Sequence, residues 1–315
     1  MSRKFDQSLA RLKKNILILG GTGFIGSNLA KYFLKKKYKV ICIGTNKSVK
    51  KIPKIEYIFS KLSKIKKNHK IFKIKNLYIV NLTGYVDHSE FGSNSNTLAD
   101  SHLYSVINFC SHINKDNLIR FINIGSADEY GMNKSPLSED LREQPYSFYA
   151  YLKTSLTHFF EMLYKSILFP GVTIRLFLIY GPGQQNNRLI PYVITKLLKN
   201  QTAFIGGNGL QHKDFLYIDD LSKIIDKILQ TSKYDGKVIN VGSGVTSSIK
   251  EIIYIIKKKI NLGEVIYAKN YRKNENFIQY PSLKIFKSNI KIKKTTSLEF
   301  GLKKTIKFYK DHIID

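Results

Sequence analysis

The chain has 315 residues, 43% of them apolar and 12% aromatic, enough to bury a sizeable core in two domains or one large α/β domain with an appendage, and too apolar for a disordered chain. Two cysteines, Cys42 and Cys110, exclude a disulfide framework and a multi-cysteine metal centre, no structural metal is expected, and no run approaches the roughly 18 apolar residues of a membrane helix. The formal charge of +29 comes from 45 Lys and 7 Arg; the lysines are scattered among abundant Ile and Asn and read as a solvated basic surface, not a nucleic-acid-binding face.

Residues 1–14 form a basic extension carrying Arg3, Lys4, Arg11, Lys13 and Lys14. The apolar run Ile16-Leu17-Ile18-Leu19 that follows is cut by glycine after four residues, too short for a signal sequence, so a cytoplasmic protein is expected. That run predicts a strand over 15–19, and the spacing of Phe24, Leu29, Phe33 and Leu34 predicts a helix over 24–36. Further strands are expected at 40–43, 77–82, 119–124 and 172–179, with helices between several of them. The lysine-rich stretch 47–75 is weakly patterned. Strands alternating with helices imply a doubly wound parallel sheet with both faces covered. After Gly181-Pro182-Gly183 the elements shorten: helices at 189–199, 219–230 and 249–260, a turn at 206–209, a strand at 238–241 and an amphipathic closing helix at 297–312. The expected division is a sheet domain over 15–180, to which 214–245 returns, and a smaller α/β region made of 181–213 and 246–315.

The link between the first strand and helix reads Gly20-Gly21-Thr22-Gly23-Phe24-Ile25-Gly26, with glycines at its first, fourth and seventh positions. Side chains there would obstruct a pyrophosphate, and the first N–H groups of the helix, beginning at Phe24 and Ile25, offer donors and a positive dipole end. The turn therefore predicts a dinucleotide site. Where a carboxylate would meet the ribose hydroxyl of NAD, at the end of the second strand, the chain has Thr45-Asn46-Lys47; hydroxyl, amide and ammonium donors in place of a carboxylate favour NADP over NAD.

Tyr149 and Lys153 are four residues apart on a helical run, hence on one face. A neighbouring ammonium favours the phenolate and brings a tyrosine within range of proton transfer near neutral pH. With 20 Tyr and 45 Lys the spacing alone would recur by chance. Its weight comes from order: a glycine turn, then a strand ending Ile124-Gly125-Ser126, then Tyr-x-x-x-Lys about 23 residues on. A serine at the carboxyl end of a parallel strand stands where such sheets bind ligands.

Taken together, these pieces resemble an extended short-chain dehydrogenase/reductase of the nucleotide-sugar epimerase, dehydratase and reductase group. The resemblance also rests on Asn81-Leu82-Thr83-Gly84, Tyr130-Gly131, Arg175-Leu176-Phe177, Tyr180-Gly181-Pro182-Gly183-Gln184, Lys213-Asp214-Phe215, Asn240-Val241-Gly242-Ser243 and Ser297 to Leu302, and spans nearly all of 15–312. It implies a Rossmann-type fold with a smaller C-terminal substrate-binding region. It also implies that Tyr149 is the acid/base on a sugar oxygen, that Lys153 tunes it and holds the nicotinamide ribose, and that Ser126 hydrogen-bonds the same oxygen. Gly20, Gly23, Phe24, Ile25, Gly26, Leu82 and Thr83 would contact the cofactor, with Thr45, Asn46 and Lys47 beside its adenosine ribose. Lys213 and Arg272 would meet the nucleotide diphosphate, while Arg188 and His88 are further candidates for the substrate pocket. A homodimer through helices near 97–110 and 149–164 is a family expectation.

The chain departs from that pattern in several places. Ala127 and Asp128 stand where related dehydratases carry their acid pair, Leu178 replaces an asparagine, Lys213 an arginine, and Ser60-Lys61-Leu62 a Gly-Asp-Leu motif. The expected activity is hydride transfer at C4 of a nucleotide-linked sugar, first as a 4-ketoreductase of an NDP-4-keto-(6-deoxy) sugar. The alternatives are an NDP-sugar 4-epimerase with tightly bound NAD and a non-catalytic dinucleotide- or RNA-binding protein of the same fold.

Overall fold

A computed structural model describes residues 14–92, 94–268, 276–289 and 295–312, so residues 1–13 of the basic extension and the candidate Arg272 lie outside the described residues. In chain order the elements begin with β1 (Asn15–Leu19), α1 (Phe24–Lys35), β2 (Lys39–Gly44), β3 (Ile55–Phe59), β4 (Leu77–Asn81), α2 (Ser95–Ala99), α3 (Ser105–Ser111), β5 (Leu118–Ser126), α4 (Phe148–Ile167) and β6 (Gly171–Leu176). They continue with β7 (Leu178–Tyr180), α5 (Leu189–Leu198), β8 (Ala203–Gly206), β9 (His212–Tyr217), α6 (Ile218–Leu229), β10 (Val238–Val241), β11 (Thr246–Ser248), α7 (Ile249–Ile260), β12 (Val265–Ala268), β13 (Ile278–Gln279), α8 (Lys284–Asn289) and α9 (Leu298–His312).

The chain groups into two compact units. The first holds the described residues up to Glu129 together with Pro145–Arg175 and Ile224–Ile239; the second holds Tyr130–Gln144, Leu176–Lys223 and the described residues from Asn240 on. Compared with the division read from the sequence, 130–144, 176–180, 214–223 and 240–245 fall in the second unit.

A seven-stranded sheet in the order β3–β2–β1–β4–β5–β6–β10 organises the first unit. β1 pairs in parallel with β2 and β4, β2 with β3, and β4 with β5. Ile16 to Leu19 of β1 are completely buried, as an unbroken apolar run must be when a strand has neighbours on both sides and covered faces. Strand order reverses between β1 and β4, and doubly wound sheets take their ligands at the carboxyl ends of strands around such a point. β3 is an element the weakly patterned stretch 47–75 concealed: Ile-Glu-Tyr-Ile-Phe forms the sheet's edge strand, flanked by exposed Lys51, Lys54 and Lys61.

Two helical segments carry site residues. Between α2 and α3 the helix passes through a π turn at Asp100–Tyr104, which adds a residue to the turn and places His102 on the buried side. α4 starts where Ser147 Oγ accepts the Ala150 N–H at 3.2 Å and stops at Leu168 in the left-handed conformation, φ 54°. Its buried face runs Tyr149, Leu152, Lys153, Leu156, Phe160, the spacing that a helix laid on a sheet requires.

The strand expected over 172–179 is two strands. β6 belongs to the seven-stranded sheet, whereas β7 pairs in parallel with β9 in a second sheet that also holds β11 and β13. Phe177, at the break, donates its N–H to Val241 O at 3.3 Å. The apolar run hides the change because the residues on both sides of it are strand formers; only the pairing partner differs. β8 and β12 form a separate parallel pair.

Several motifs of the second unit fasten one another. The buried Asp214 carboxylate accepts the Ser243 and Gly244 N–H groups at 2.7 and 2.6 Å, and Tyr130 donates to Asn240 Oδ1 at 2.8 Å. A side chain on Gly301 of α9 would run into the Tyr180 hydroxyl, so the closing helix can seat only with glycine there.

Candidate active site

The glycine turn leaves β1 with Gly20 at φ +78°, where its N–H and that of Gly21 both donate to Ile43 O at 2.9 Å. A Cβ on Gly20 would lie 2.7 Å from Leu82 O, and one on Gly26 would collide with Gly20 O. These two glycines let α1 and the β4 loop close on the turn. Gly23 differs: it is exposed, its Cβ would have room at 3.4 Å from Gly20 O, and as N-cap of α1 it supplies no side-chain acceptor. The helix start at Phe24, Ile25 and Gly26 is therefore uncapped by any side chain, so the chain fits a pyrophosphate here by its backbone donors.

Around that turn stand the ends of the neighbouring strands. Thr45, Asn46 and Lys47 are exposed just past β2, with Asn46 Oδ1 accepting the Ser48 N–H at 3.0 Å. On the other side, Leu82 donates its N–H to Leu19 O at 2.9 Å, and Thr83 is anchored through both its N–H and its hydroxyl to Asn81 Oδ1, at 3.2 and 2.6 Å. Asn81 donates to Asn123 Oδ1 at 3.0 Å, which donates to Thr173 Oγ1 at 3.3 Å. This buried polar ladder crosses β4, β5 and the start of β6 and fixes the loop that carries Thr83.

Ser126 ends β5. Its Oγ accepts the Asp128 N–H at 3.2 Å, which leaves the hydroxyl proton for another acceptor, and its own N–H is held by Glu129 Oε1 at 2.8 Å. Glu129 is fully buried; its other oxygen accepts from Arg175 Nε at 2.8 Å and Thr157 Oγ1 at 2.9 Å. The sequence reading matched Arg175 to a motif and passed over Glu129, whose importance depends on a partner 46 residues away.

Tyr149 and Lys153 face inward from the first turns of α4, 6% and 6% exposed. Lys153 Nζ donates to Ile124 O at 3.0 Å and lies 6.0 Å from the centre of the Tyr149 ring. Burial pulls the ammonium down to about 8, opposed by the Glu129 carboxylate. Two imidazoles meet the tyrosine ring edge to face, His88 at 5.8 Å and His102 at 5.5 Å between centroids. His102 is buried, accepts the Tyr85 N–H on Nε2 at 3.1 Å, and is brought down to about 3 by burial and by Lys153, so it is neutral with its proton on Nδ1. Nothing in the sequence marked it beyond a histidine in a helix. His88 Nε2 stands 3.9 Å from Asp128 Oδ2.

The first unit thus brings together Gly20, Gly23, Phe24, Ile25, Gly26, Leu82 and Thr83 at the switch point and Ser126, Tyr149, Lys153 and His88 beside it. The remaining candidates belong to the second unit: Arg188 is the N-cap residue of α5, and Lys213, nearly buried on β9, turns its ammonium to Asn276 O. Among the described residues no three His, Cys, Asp or Glu converge as metal ligands, and no helix is long and apolar enough to cross a membrane.

A sequence profile of the NAD dependent epimerase/dehydratase family matches residues 16–242. A putative UDP-glucose 4-epimerase of Methanocaldococcus jannaschii is 27% identical over 314 residues, covering 94% of this chain and 99% of that protein. The dTDP-4-dehydro-6-deoxyglucose reductase of Escherichia coli is 24% identical over 269 residues, covering 81% and 84%. Among solved structures, UDP-glucuronic acid 4-epimerase from Bacillus cereus in complex with UDP-glucuronic acid and NAD superposes with a TM-score of 0.85 at 25% identity, covering 95% of this chain and 99% of that one.

Proposed function

The chain belongs to the NAD dependent epimerase/dehydratase family, and on that premise we propose that it reduces the C4 carbonyl of a nucleotide-linked 4-keto sugar. A bound nicotinamide would supply the hydride. The chain's own part is to hold and protonate the carbonyl oxygen. Ser126, whose Oγ already accepts the Asp128 N–H, has its proton to donate, and Tyr149 gives the proton that the new alkoxide takes. Lys153 favours the phenolate that remains, and its ammonium is held within reach of that role by Ile124 O. The observation that carries the reading is the group of half-buried Ser126 with buried Tyr149 and Lys153 beside a glycine turn whose helix start is uncapped.

NADP is the proposed cofactor ahead of NAD, since Thr45, Asn46 and Lys47 stand exposed after β2 where a carboxylate would repel a ribose phosphate. Lys213, Arg188 and Arg272 are the proposed contacts of the nucleotide diphosphate, and His88 of the sugar. A homodimer is proposed through the helical stretch 97–110 and α4, where Tyr104 and Tyr151 expose 62 and 54% of their surface. The second reading, a 4-epimerase that keeps its nicotinamide and returns hydride to the other face, is favoured by the epimerases among its relatives. One assay separates them: purified protein with NADPH and an NDP-4-keto-6-deoxy sugar loses nicotinamide absorbance stoichiometrically if it is a reductase, and interconverts C4 epimers of an NDP-sugar with no net loss if it is an epimerase. Tyr149→Phe should abolish either activity while NADP still raises the melting temperature; full turnover in that variant would dismiss both.

A further inference from the structure

We propose that the outward face of α7 and α9 is a docking surface for an anionic lipid bilayer, on which the protein rests without entering it. The face lies wholly within the second unit and includes none of the residues assigned to cofactor or sugar, so it stands apart from the reductase reading. α7 and α9 pack against each other and against α5. Each is amphipathic: Ile252 and Ile256 of α7 and Leu302 and Ile306 of α9 are buried. The opposite stripes are basic. On α7, Lys250, Tyr254, Lys257 and Lys258 follow one another at helical spacing and are exposed. On α9, Phe300, Lys303, Lys307 and Lys310 do the same. The stripes meet where Lys259 Nζ pairs with the Glu299 carboxylate at 2.7 Å. That carboxylate is held below its usual range by the bond to Lys259 and then by the charges of Lys259, Lys258 and Lys303, so ammonium groups of both helices converge on one acid.

Charge is distributed unevenly among the helices. α7 and α9 together carry eight lysines against three acids, Glu251, Glu299 and Asp311, whereas α6 carries two lysines against three aspartates. Two of the acids on the face are already engaged, since Glu251 accepts the Ser248 N–H at 2.8 Å in a capping box and Glu299 holds Lys259. Lys304 stands 3.9 Å from Asp219. Among the described residues Lys250, Lys257, Lys258, Lys303, Lys307 and Lys310 have no carboxylate within ion-pair distance. A face of this sign attracts fixed negative charge and repels a second copy of the chain.

Two features favour a lipid surface over a nucleic acid. Neither helix carries an arginine, whose planar fork grips a phosphate or a base edge in fixed geometry; the ammonium groups present act as point charges. Set among those lysines are Tyr254 and Phe300, 65% and 53% exposed, and just past the end of α7 stands Leu262, 47% exposed. Isolated on a solvated face, such side chains gain nothing from water. Against a bilayer the rings enter the headgroup layer while the lysines meet lipid phosphates, and each lysine so placed strengthens binding by about five-fold. The contact is reversible and weakens with salt, because its larger part is electrostatic.

The test is co-sedimentation of the full chain with vesicles of equal parts phosphatidylglycerol and phosphatidylcholine, against vesicles of phosphatidylcholine alone. We expect binding to the first, none to the second, and release at high salt. Replacing Lys258 and Lys303 together by glutamine should weaken partitioning by about 30-fold, and Tyr254→Ser with Phe300→Ser by about ten-fold. Lys31→Gln with Lys35→Gln, on the exposed side of α1, removes the same charge elsewhere and should leave partitioning within about two-fold of wild type. The chain has no tryptophan, so Phe300→Trp adds a single reporter whose emission should shift to the blue on the mixed vesicles. Wild-type protein that stays in the supernatant overturns the proposal. So does an equal loss in the α1 variant, which would make the binding a matter of net charge, or a reporter that does not shift on bound vesicles. A reporter that shifts with polyuridylate and not with vesicles assigns the face to nucleic acid and overturns it as well. NADPH turnover is untouched by any of these outcomes, and the reductase reading stands or falls separately.

Discussion

Replacing Glu129 by leucine tests whether the site's foundation is electrostatic. The carboxylate and the Arg175 guanidinium are both completely buried, 2.8 Å apart, and the carboxylate also takes the Ser126 N–H and the Thr157 hydroxyl. Deleting one partner of such a pair leaves an uncompensated buried charge and costs about 3–5 kcal/mol, whereas deleting both is often close to neutral. For a chain of this size that loss lowers the melting temperature by roughly 10 °C. Glu129→Leu and Arg175→Met should each show it, and the double variant should recover most of it, which requires a coupling larger than either single loss. Chemical denaturation of the four proteins in parallel gives the coupling. If the double variant were as unstable as the sum of the single ones, the pair would not be the element that holds Ser126 in place. Glu129→Gln, which keeps the Ser126 acceptor, should retain more turnover than Glu129→Leu.

Lys153→Met should abolish turnover and yet stabilise the folded chain at pH 7. The folded lysine is depressed to about 8 from an ordinary 10.5, a penalty of roughly 3 kcal/mol, offset by about 1 kcal/mol for the lost bond to Ile124 O. Between pH 8 and 10.5 the unfolded lysine binds a proton that the folded one has released, so wild-type stability from this residue rises with pH. The advantage of the methionine variant should shrink over that window in thermal melts, and a constant advantage would contradict the assigned shift. Gly26→Ala should cost roughly 1–3 kcal/mol because its methyl collides with Gly20 O, whereas Gly23→Ala should melt like wild type but bind dinucleotide more weakly by isothermal titration. Equal dinucleotide affinity in Gly23→Ala would place the pyrophosphate elsewhere. Lys47→Glu should move the NADP-to-NAD affinity ratio toward NAD by roughly ten-fold, about 1.4 kcal/mol, and an unmoved ratio would remove Lys47 from the site.

Much of the scaffold was legible because its physics is local. Buried central strands such as β1 and β4 require unbroken apolar runs, and the glycines at 20 and 26 announce a close approach that the backbone indeed makes. What escaped is non-local. The five residues of β3 are recognisable as a strand only once β2 offers its edge, the break at Phe177 has no sequence mark because both halves favour extended backbone, and Glu129 reads as a surface carboxylate until Arg175 is seen beneath it. His102 reached the site through a π turn that no apolar spacing encodes. Tyr149, Lys153 and Ser126 could be picked out because their order along the chain is constrained, whereas the neighbourhood of His88 and Asp128 required knowing where two loops end.

The edge position of β3 gives the scattered lysines a collective consequence. An outermost strand of alternating Ile, Tyr and Phe is a template onto which another chain could add by backbone hydrogen bonding, and ammonium groups at its margins, Lys51, Lys54 and Lys61, impose like-charge repulsion on any copy that tries. A high isoelectric point, which looks featureless in the composition, thereby acts as a guard against fibrillar self-addition. Acetylating those amines, with the fold left intact, should convert a well-behaved solution into one that deposits aggregates on standing.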